Sequence, residues 1–455
     1  MDGTIGNENK NPRYGLWALG ALAILVVARV LPLLKAPLSA YGYDYGFYLY
    51  AAKHVQGFSW ESLMTSVWGG YDSPFFVLGK ILHLPPSVAL NEGLLLFSVF
   101  LGISIYWYFS NINKASGVIG ILLVAFSLIQ AEGYNMFLWK NLAALPFLIL
   151  AFKFAYEEKW GDLAACSVII LVTHRTTAIL YFLALGVYMV YRHLRNRSYL
   201  ALVLEAGAVA LLVPMGYKFF NLREIVEKLV NNNNFYVRTG LFLENQNLLA
   251  LWWPIVLLGL VGFFFWIKFK NHPLPVIFFL ICALWFAFKL PFYRRVIIYL
   301  DLSLVLFAAY FLGKIHYQNK KLKIALAAVL VFLAAQAGMY IFSKQPLISA
   351  RETSEIQSFN ERPGFVLSIT ANDAPWLVGY IDDNQRLGAP GLFEDPHTFQ
   401  EWQDFWAGKN QVDFISKYPR PLYFYERGYR LEDGIAKCFK PLSENFSEYN
   451  YQCKP

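Results

Sequence analysis

The ionisable residues able to do chemistry in this chain stand at the ends of apolar runs. Asp44 and Asp72 follow the first run, Glu132 and Lys140 flank a later break, and His174 and Arg175 split a long run. Arg238 and Glu244 precede another apolar stretch, and Lys289, Arg294 and Arg295 another again. Carboxylates can carry protons, while lysine, arginine and histidine can hold an anion. A charge at the edge of hydrocarbon costs energy unless it snorkels or finds a partner, so this placement is informative. Gathered at one face, these groups would line an active-site cavity opening outward.

The elements that must position them are membrane spans. The 455 residues are 57% hydrophobic but only 15% charged, against roughly 25% charged for an average soluble domain. That excludes a soluble enzyme as the whole chain. Apolar runs near 15–34, 89–109, 115–130, 137–156, 162–174, 176–192, 198–216, 249–267, 273–290, 296–313 and 323–342 predict about eleven spans. The first lacks a small-residue cleavage site and reads as an uncleaved span rather than a signal peptide. Lys10 and Arg13 precede it and put the N-terminus inside. The short loops with Lys114, Lys153, Lys159, Arg192, Arg195, Lys268 and Lys314 then all fall on the cytoplasmic side. At His174–Arg175 the run is interrupted by either a tight outer turn or a broken helix.

The expected architecture is therefore an α-helical polytopic membrane protein with a small outer α/β domain. The transmembrane domain covers 1–342, with outer loops 35–88 and 217–248, and the extracytoplasmic domain covers 343–455. Strand-like FVLSIT and PLYFY, a helix in FQEWQDFWAG and a turn at Ala389-Pro390-Gly391 mark that last region. It holds 12 Lys and Arg against 16 Asp and Glu, so the net charge of +8 belongs to the membrane part. Basic cytoplasmic loops explain that excess without nucleic acid. Cys166 and Cys282 fall in spans, whereas Cys438 and Cys453 fall in the outer domain, where an oxidising exterior would permit a short disulfide loop. Metal-spaced cysteine or histidine motifs and phosphate-binding glycine motifs are absent from the sequence. Asn445-Phe446-Ser447 is an N-glycosylation sequon.

The first loop is the most distinctive stretch. YGYDYGFYLYAAKHVQG sets Asp44 among Tyr41, Tyr43, Tyr45, Phe47, Tyr48 and Tyr50, ahead of an amphipathic helical pattern. One reading is an aromatic belt anchoring an interfacial helix, with Asp44 as its N-cap. A carboxylate just beyond the first span, before an interfacial helix, also resembles the membrane glycosyltransferases of the GT-C superfamily. YDSPFFVLGKIL (71–82), LVTHRTTAILYFLA (171–184), and SITANDAPWLVGYIDD with RLGAPGLFEDP (368–396) resemble the same superfamily more loosely.

The resemblance implies inverting transfer of a sugar from a polyprenyl-phosphate-linked donor to a glycan, lipid or protein acceptor at the outer face. In that scheme Asp44 is the general base, and Arg294, Arg295, Lys140, His174 and Arg175 stabilise the departing lipid phosphate. Tyr43, Tyr45 and Asp72 would meet the acceptor or sugar. Some members hold Mg²⁺ or Mn²⁺ with acids of the first two outer loops. Here Asp44 stands without a neighbouring acid, and only Glu132 would join it. The implied setting is a prokaryotic plasma membrane, with the N-terminus cytoplasmic.

Competing readings stay open at each position. The run KLPFYRR fits a loop snorkelling to headgroups, and His174 and Arg175 fit hydrogen bonding between spans. Lys140 fits pairing with Glu132, and Arg29 fits a snorkelling anchor. A lipid-linked glycan polymerase or ligase shares the chemistry. A transporter or flippase of a lipid-linked or anionic solute, and a non-catalytic assembly subunit, do not.

Overall fold

The computed structural model describes residues 13–55, 73–196, 245–269, 272–316, 320–370, 373–390, 397–427 and 434–453. Its helices, in chain order, are α1 (Arg13–Val30), α2 (Tyr45–His54), α3 (Pro74–Ile81), α4 (Pro86–Ser110), α5 (Lys114–Phe126), α6 (Leu128–Asn135), α7 (Trp139–Tyr156), α8 (Trp160–Thr173) and α9 (Arg175–Asn196). They continue as α10 (Asn245–Lys268), α11 (Leu274–Ala287), α12 (Ile297–His316), α13 (Lys320–Ser343), α14 (Ala350–Gln357), α15 (Ala374–Tyr380), α16 (Phe399–Trp406) and α17 (Gln411–Ser416). The strands are β1 (Phe365–Ser368), β2 (Leu387–Gly388), β3 (Leu422–Tyr425), β4 (Phe439–Pro441) and β5 (Phe446–Tyr449). The chain divides into two compact units, one of residues 1–35 and 56–344, the other of 36–55 and 345–455.

The larger unit is a helical membrane bundle. Among the described residues, α1 with its continuation to Leu34, α4, α9, α10, α12 and α13 are each long and apolar enough to cross a membrane. Helices α5 and α6, bent by 54° at Ser127, make a seventh if counted as one span. The expected run 198–216 lies outside the described residues. Large apolar side chains such as Leu16, Leu96, Phe264, Val331 and Met339 stay exposed on these helices, as a lipid-facing surface requires. Helix α12 is the opposite case, with 89% of its apolar window buried against 22% for α13. It is the central element, and α10 lies directly on it because Gly259 and Gly262 have no side chains. A Cβ on Gly262 would come within 2.1 Å of the Phe307 carbonyl oxygen.

The interruption at His174 is a tight turn. His174 is extended between α8 and α9, and the Ser167 and Tyr181 hydroxyls meet at 2.7 Å. Fourteen residues of continuous helix would separate those groups by ~21 Å, so the chain reverses into an antiparallel hairpin. Arg192 closes its far end on Glu158 at 2.8 Å and over the Trp160 ring. Helices α7, α8 and α9 thus run alternately, and the two ends of the bundle collect different residues. One end has Lys153, Lys159, Arg192 and His272; the other has Glu132, Lys140, His174, Arg295 and Lys344.

The smaller unit is α/β. Its five-stranded sheet has the order β2-β1-β3-β5-β4, parallel across β2, β1 and β3 and antiparallel across β3, β5 and β4. Alternation along β1 and β3 sends Phe365, Leu367, Leu422 and Phe424 to one face, where Trp402, Phe405 and Phe414 of α16 and α17 close a core. Helix α16 begins with a capping box between Thr398 and Glu401. Cys438 and Cys453 are joined by a disulfide, while Cys166 and Cys282 are free and buried. The sequon lies on the way into β5, with Asn445 donating to Glu355 at 3.1 Å and the Ser447 hydroxyl to Glu426.

Residues 36–55, read from sequence as part of an outer membrane loop, are built into this smaller unit. The amide groups of Leu347 and Ile348 donate to the Ala40 carbonyl at 2.7 and 3.2 Å. Helix α2 lies against α15, and Lys53 pairs with Asp382 at 2.9 Å. Tyr41, Tyr45 and Tyr48 are buried rather than splayed as an interfacial belt.

Candidate functional site

In the membrane bundle the site is assembled from three helix starts. Lys140 is the second residue of α7, Arg175 the first of α9, and Arg295 stands two residues before α12. The first turn of every helix leaves backbone N–H groups unsatisfied and carries partial positive charge. His174 sits at the hairpin turn among them, and Lys140, Arg295 and Arg175 all act electrostatically on its ring. Lys140 is buried at 6% exposure, whereas Arg175 is exposed. The cluster therefore spans from the bundle interior to its surface.

A hydroxyl and amide network holds the histidine. The Thr177 N–H donates to His174 Nδ1 at 3.2 Å, with the Thr177 and Tyr299 hydroxyls at 2.8 and 3.1 Å from the same nitrogen. Tyr299 on α12 also accepts from Asn141 Nδ2 at 2.9 Å and meets Thr177 Oγ1 at 2.7 Å. Since Nδ1 accepts, a neutral imidazole here carries its proton on Nε2. Residues of three helices, α7, α9 and α12, thus fix one ring. The arrangement can bind an anion, with lysine and arginine supplying charge and the hydroxyls supplying directional hydrogen bonds.

The structure brings together Lys140, His174, Arg175 and Arg295 from the set expected to bind phosphate. Arg294 is buried next to Arg295, but Arg295 is the arginine whose charge acts on both His174 and Tyr299. Asp44, Tyr43 and Tyr45 belong to the smaller unit. Asp44 occupies the N-cap position of α2, is 2% exposed, and makes no capping bond with its side chain. Tyr43 meets the Trp376 ring edge-on at 6.0 Å, and Tyr45 is buried as the first residue of α2. Asp72, Arg238 and Glu244 lie outside the described residues.

Glu132 pairs with Lys344 rather than Lys140. Both its carboxylate oxygens lie 2.7 Å from the Lys344 ammonium, and Tyr340 donates to one of them. A carboxylate so engaged does not fit the role of a metal ligand beside Asp44. Among the described residues no group of three or more His, Cys, Asp or Glu could hold a metal ion.

Two further charges lie inside the bundle. Asp301, fully buried on α12, accepts from Ser127 Oγ at 2.8 Å, Gln130 Nε2 at 2.9 Å and Trp252 Nε1 at 3.1 Å. Arg29 of α1 is 3% exposed and donates to the Val124 carbonyl at 2.9 Å, where α5 ends at the bend. It is therefore no snorkelling anchor. It satisfies carbonyls freed by the break, and Asp301 receives the donors at the start of α6. Asp301 escapes a reading confined to the ends of apolar runs, because it stands inside IIYLDLSLVLF; a lone acid within a span is the signal that marks it. Neither a protein-family model nor a curated protein matches this chain.

Proposed function

We propose that this membrane protein is a GT-C-like glycosyltransferase of about eleven spans, taking its sugar from a polyprenyl-phosphate-linked donor at the outer face. The N-terminus is cytoplasmic and the smaller unit extracytoplasmic, in a prokaryotic plasma membrane. The single observation that carries this reading is the convergence of the starts of α7, α9 and α12, with Lys140, Arg175 and Arg295 beside them, on the hydrogen-bonded set Asn141, Tyr299, Thr177 and His174. A lipid-linked donor keeps its chain in the bilayer and its phosphate at the boundary, where such a cluster would neutralise it. The acceptor hydroxyl attacks the anomeric carbon, and the bond from that carbon to the phosphate oxygen breaks. The electron pair leaves on the phosphate, whose developing charge fixed cations stabilise in a water-poor site. Asp44 takes the hydroxyl proton. The acceptor is a glycan, lipid or protein hydroxyl.

Transfer from radiolabelled polyprenyl-phosphate sugars to membrane acceptors tests this, at matched expression of each variant. Arg295→Gln and Asp44→Asn should each lower turnover at least ~100-fold, as expected for losing a transition-state cation or a general base. Donor binding should weaken only in Arg295→Gln. Normal transfer by Asp44→Asn would remove Asp44 from the mechanism.

A transporter of a lipid-linked or anionic solute is the second reading. It is favoured by Asp301 beside a broken helix deep in the bundle, the kind of feature that lines transport paths. Such a protein would move its solute unaltered, and Asp301→Asn would abolish that movement.

A further inference from the structure

The end of the bundle opposite the candidate site has two unlike halves. On the side of α7, α8 and α9 its cations are paired: Lys153 and Lys159 hold Glu157, and Arg192 holds Glu158 at 2.8 Å. The other half collects four helix ends. Helix α12 begins beside the site and carries the chain ~30 Å away from it, to where the His316 and Trp17 rings meet edge-on at 6.5 Å, near the start of α1. The end of α10 joins them, since the Lys314 ammonium lies 5.7 Å from the centre of the Phe269 ring and 5.6 Å from that of Tyr310. Helix α13 starts here too, because only residues 317–319 separate it from α12. Its far end returns to the far end of α1, where Lys35 donates to the Lys344 carbonyl at 3.5 Å.

Charge accumulates in this second half without acids to match it. Lys268, Lys321 and Lys323 are exposed and Lys314 is half-buried. Between Asn245 and Lys344 the chain contains a single acid, Asp301, and it is engaged inside the bundle by Ser127, Gln130 and Trp252. Within two turns of the lysines the surface is apolar: Leu16 and Leu19 of α1, Phe264 and Ile267 of α10, and Ile324 of α13 are all exposed.

This combination selects the ligand. A soluble anion would answer the lysines and leave the apolar side chains uncovered, whereas a neutral lipid would cover those side chains and leave the ammonium groups without counter-charge. A phospholipid with an anionic headgroup does both, its phosphate on the lysines and its acyl chains along the helices. Lysine suits the task, because its apolar stem lies along the helix surface while the ammonium follows a mobile headgroup.

We infer that this half of the bundle end is a binding surface for an anionic phospholipid, with Lys268, Lys314, Lys321 and Lys323 on the headgroup. It rests on the membrane character of the bundle and not on glycosyl transfer.

The test is native mass spectrometry of the full chain, delipidated in a nonionic detergent and titrated with dioleoylphosphatidylglycerol or dioleoylphosphatidylcholine. With a membrane-surface lysine worth roughly fivefold in affinity, the wild type should bind phosphatidylglycerol at least ~10-fold more tightly than phosphatidylcholine. Combined Lys314→Gln, Lys321→Gln and Lys323→Gln should weaken phosphatidylglycerol at least ~10-fold and leave phosphatidylcholine unchanged. The corresponding triple arginine variant should bind as the wild type does. Lys159→Gln, in the paired half, should have no effect. If the glutamine variant unfolds, the wild-type preference and its collapse at high salt decide alone. The inference is overturned if the wild type shows no preference, if a folded glutamine variant keeps it, or if Lys159→Gln lowers it equally. Displacement of the lipid by glycerol phosphate at equal concentration would also overturn it, by showing a site for a soluble anion. None of these results touches the transfer assay, so the two readings fail separately.

Discussion

Asp301 gathers donors from Ser127, Gln130 and Trp252 onto one buried carboxylate, with Arg29 acting on it electrostatically. Deleting the carboxylate leaves three buried donors unmade. Asp301→Leu should therefore destabilise the bundle by about 3–5 kcal/mol, since each buried donor left unmade costs about 1–3 kcal/mol. Asp301→Asn keeps one acceptor oxygen and should cost less. Thermal unfolding in detergent ranks the two, and equal midpoints would show that the carboxylate carries no structural load. At this scale the candidate site was half legible in sequence. Lys140, His174, Arg175 and Arg295 are visible because lysine, histidine and arginine at the ends of apolar runs need a reason. Their convergence on one ring is not visible, since Asn141, Thr177 and Tyr299 look ordinary within their helices and acquire meaning only when α7, α9 and α12 meet.

Among the elements, α2 shows how a close approach determines a docking. Its Gly46 lies so near α15 that a Cβ would fall 1.6 Å from the Pro375 carbonyl oxygen. A β-branched side chain cannot fit there without moving backbone, so Gly46→Val should undock α2 from α15. Amide exchange in 45–54 should accelerate strongly as those helical hydrogen bonds open. Gly161→Ala, where an added Cβ meets nothing within 4 Å, serves as the neutral control. Protection unchanged in Gly46→Val would refute the packing. The helix itself was legible from the amphipathic pattern around Asp44. Its partner was not, because an apolar face specifies that something covers it and not what. The same limit applied at His174, where a polar break fits a turn and a kink equally until the Ser167–Tyr181 contact excludes the straight helix.

For the whole molecule, the smaller unit is discontinuous, made of 36–55 and 345–455. A fragment of 345–455 alone lacks the helix that covers α15 and the carbonyl that receives the Leu347 and Ile348 amides. It should give collapsed, poorly dispersed amide NMR spectra, whereas 36–55 joined to it by a flexible linker should give dispersed spectra. A well-folded 345–455 would show that the first-loop segment is dispensable. Composition and periodicity by themselves determined that this protein is a helical membrane protein with a small α/β region. The hydrophobic driving force is additive along the chain, and twenty apolar residues demand burial or lipid whatever surrounds them. Tertiary structure alone decided that three cations share one histidine, that an arginine and an aspartate hold a broken span, and that residues 36–55 fold with 345–455. Those outcomes depend on pairings between segments distant in sequence, as when Tyr299 meets His174 and Ser127 meets Asp301, and no local pattern carries the energy of a contact it does not contain.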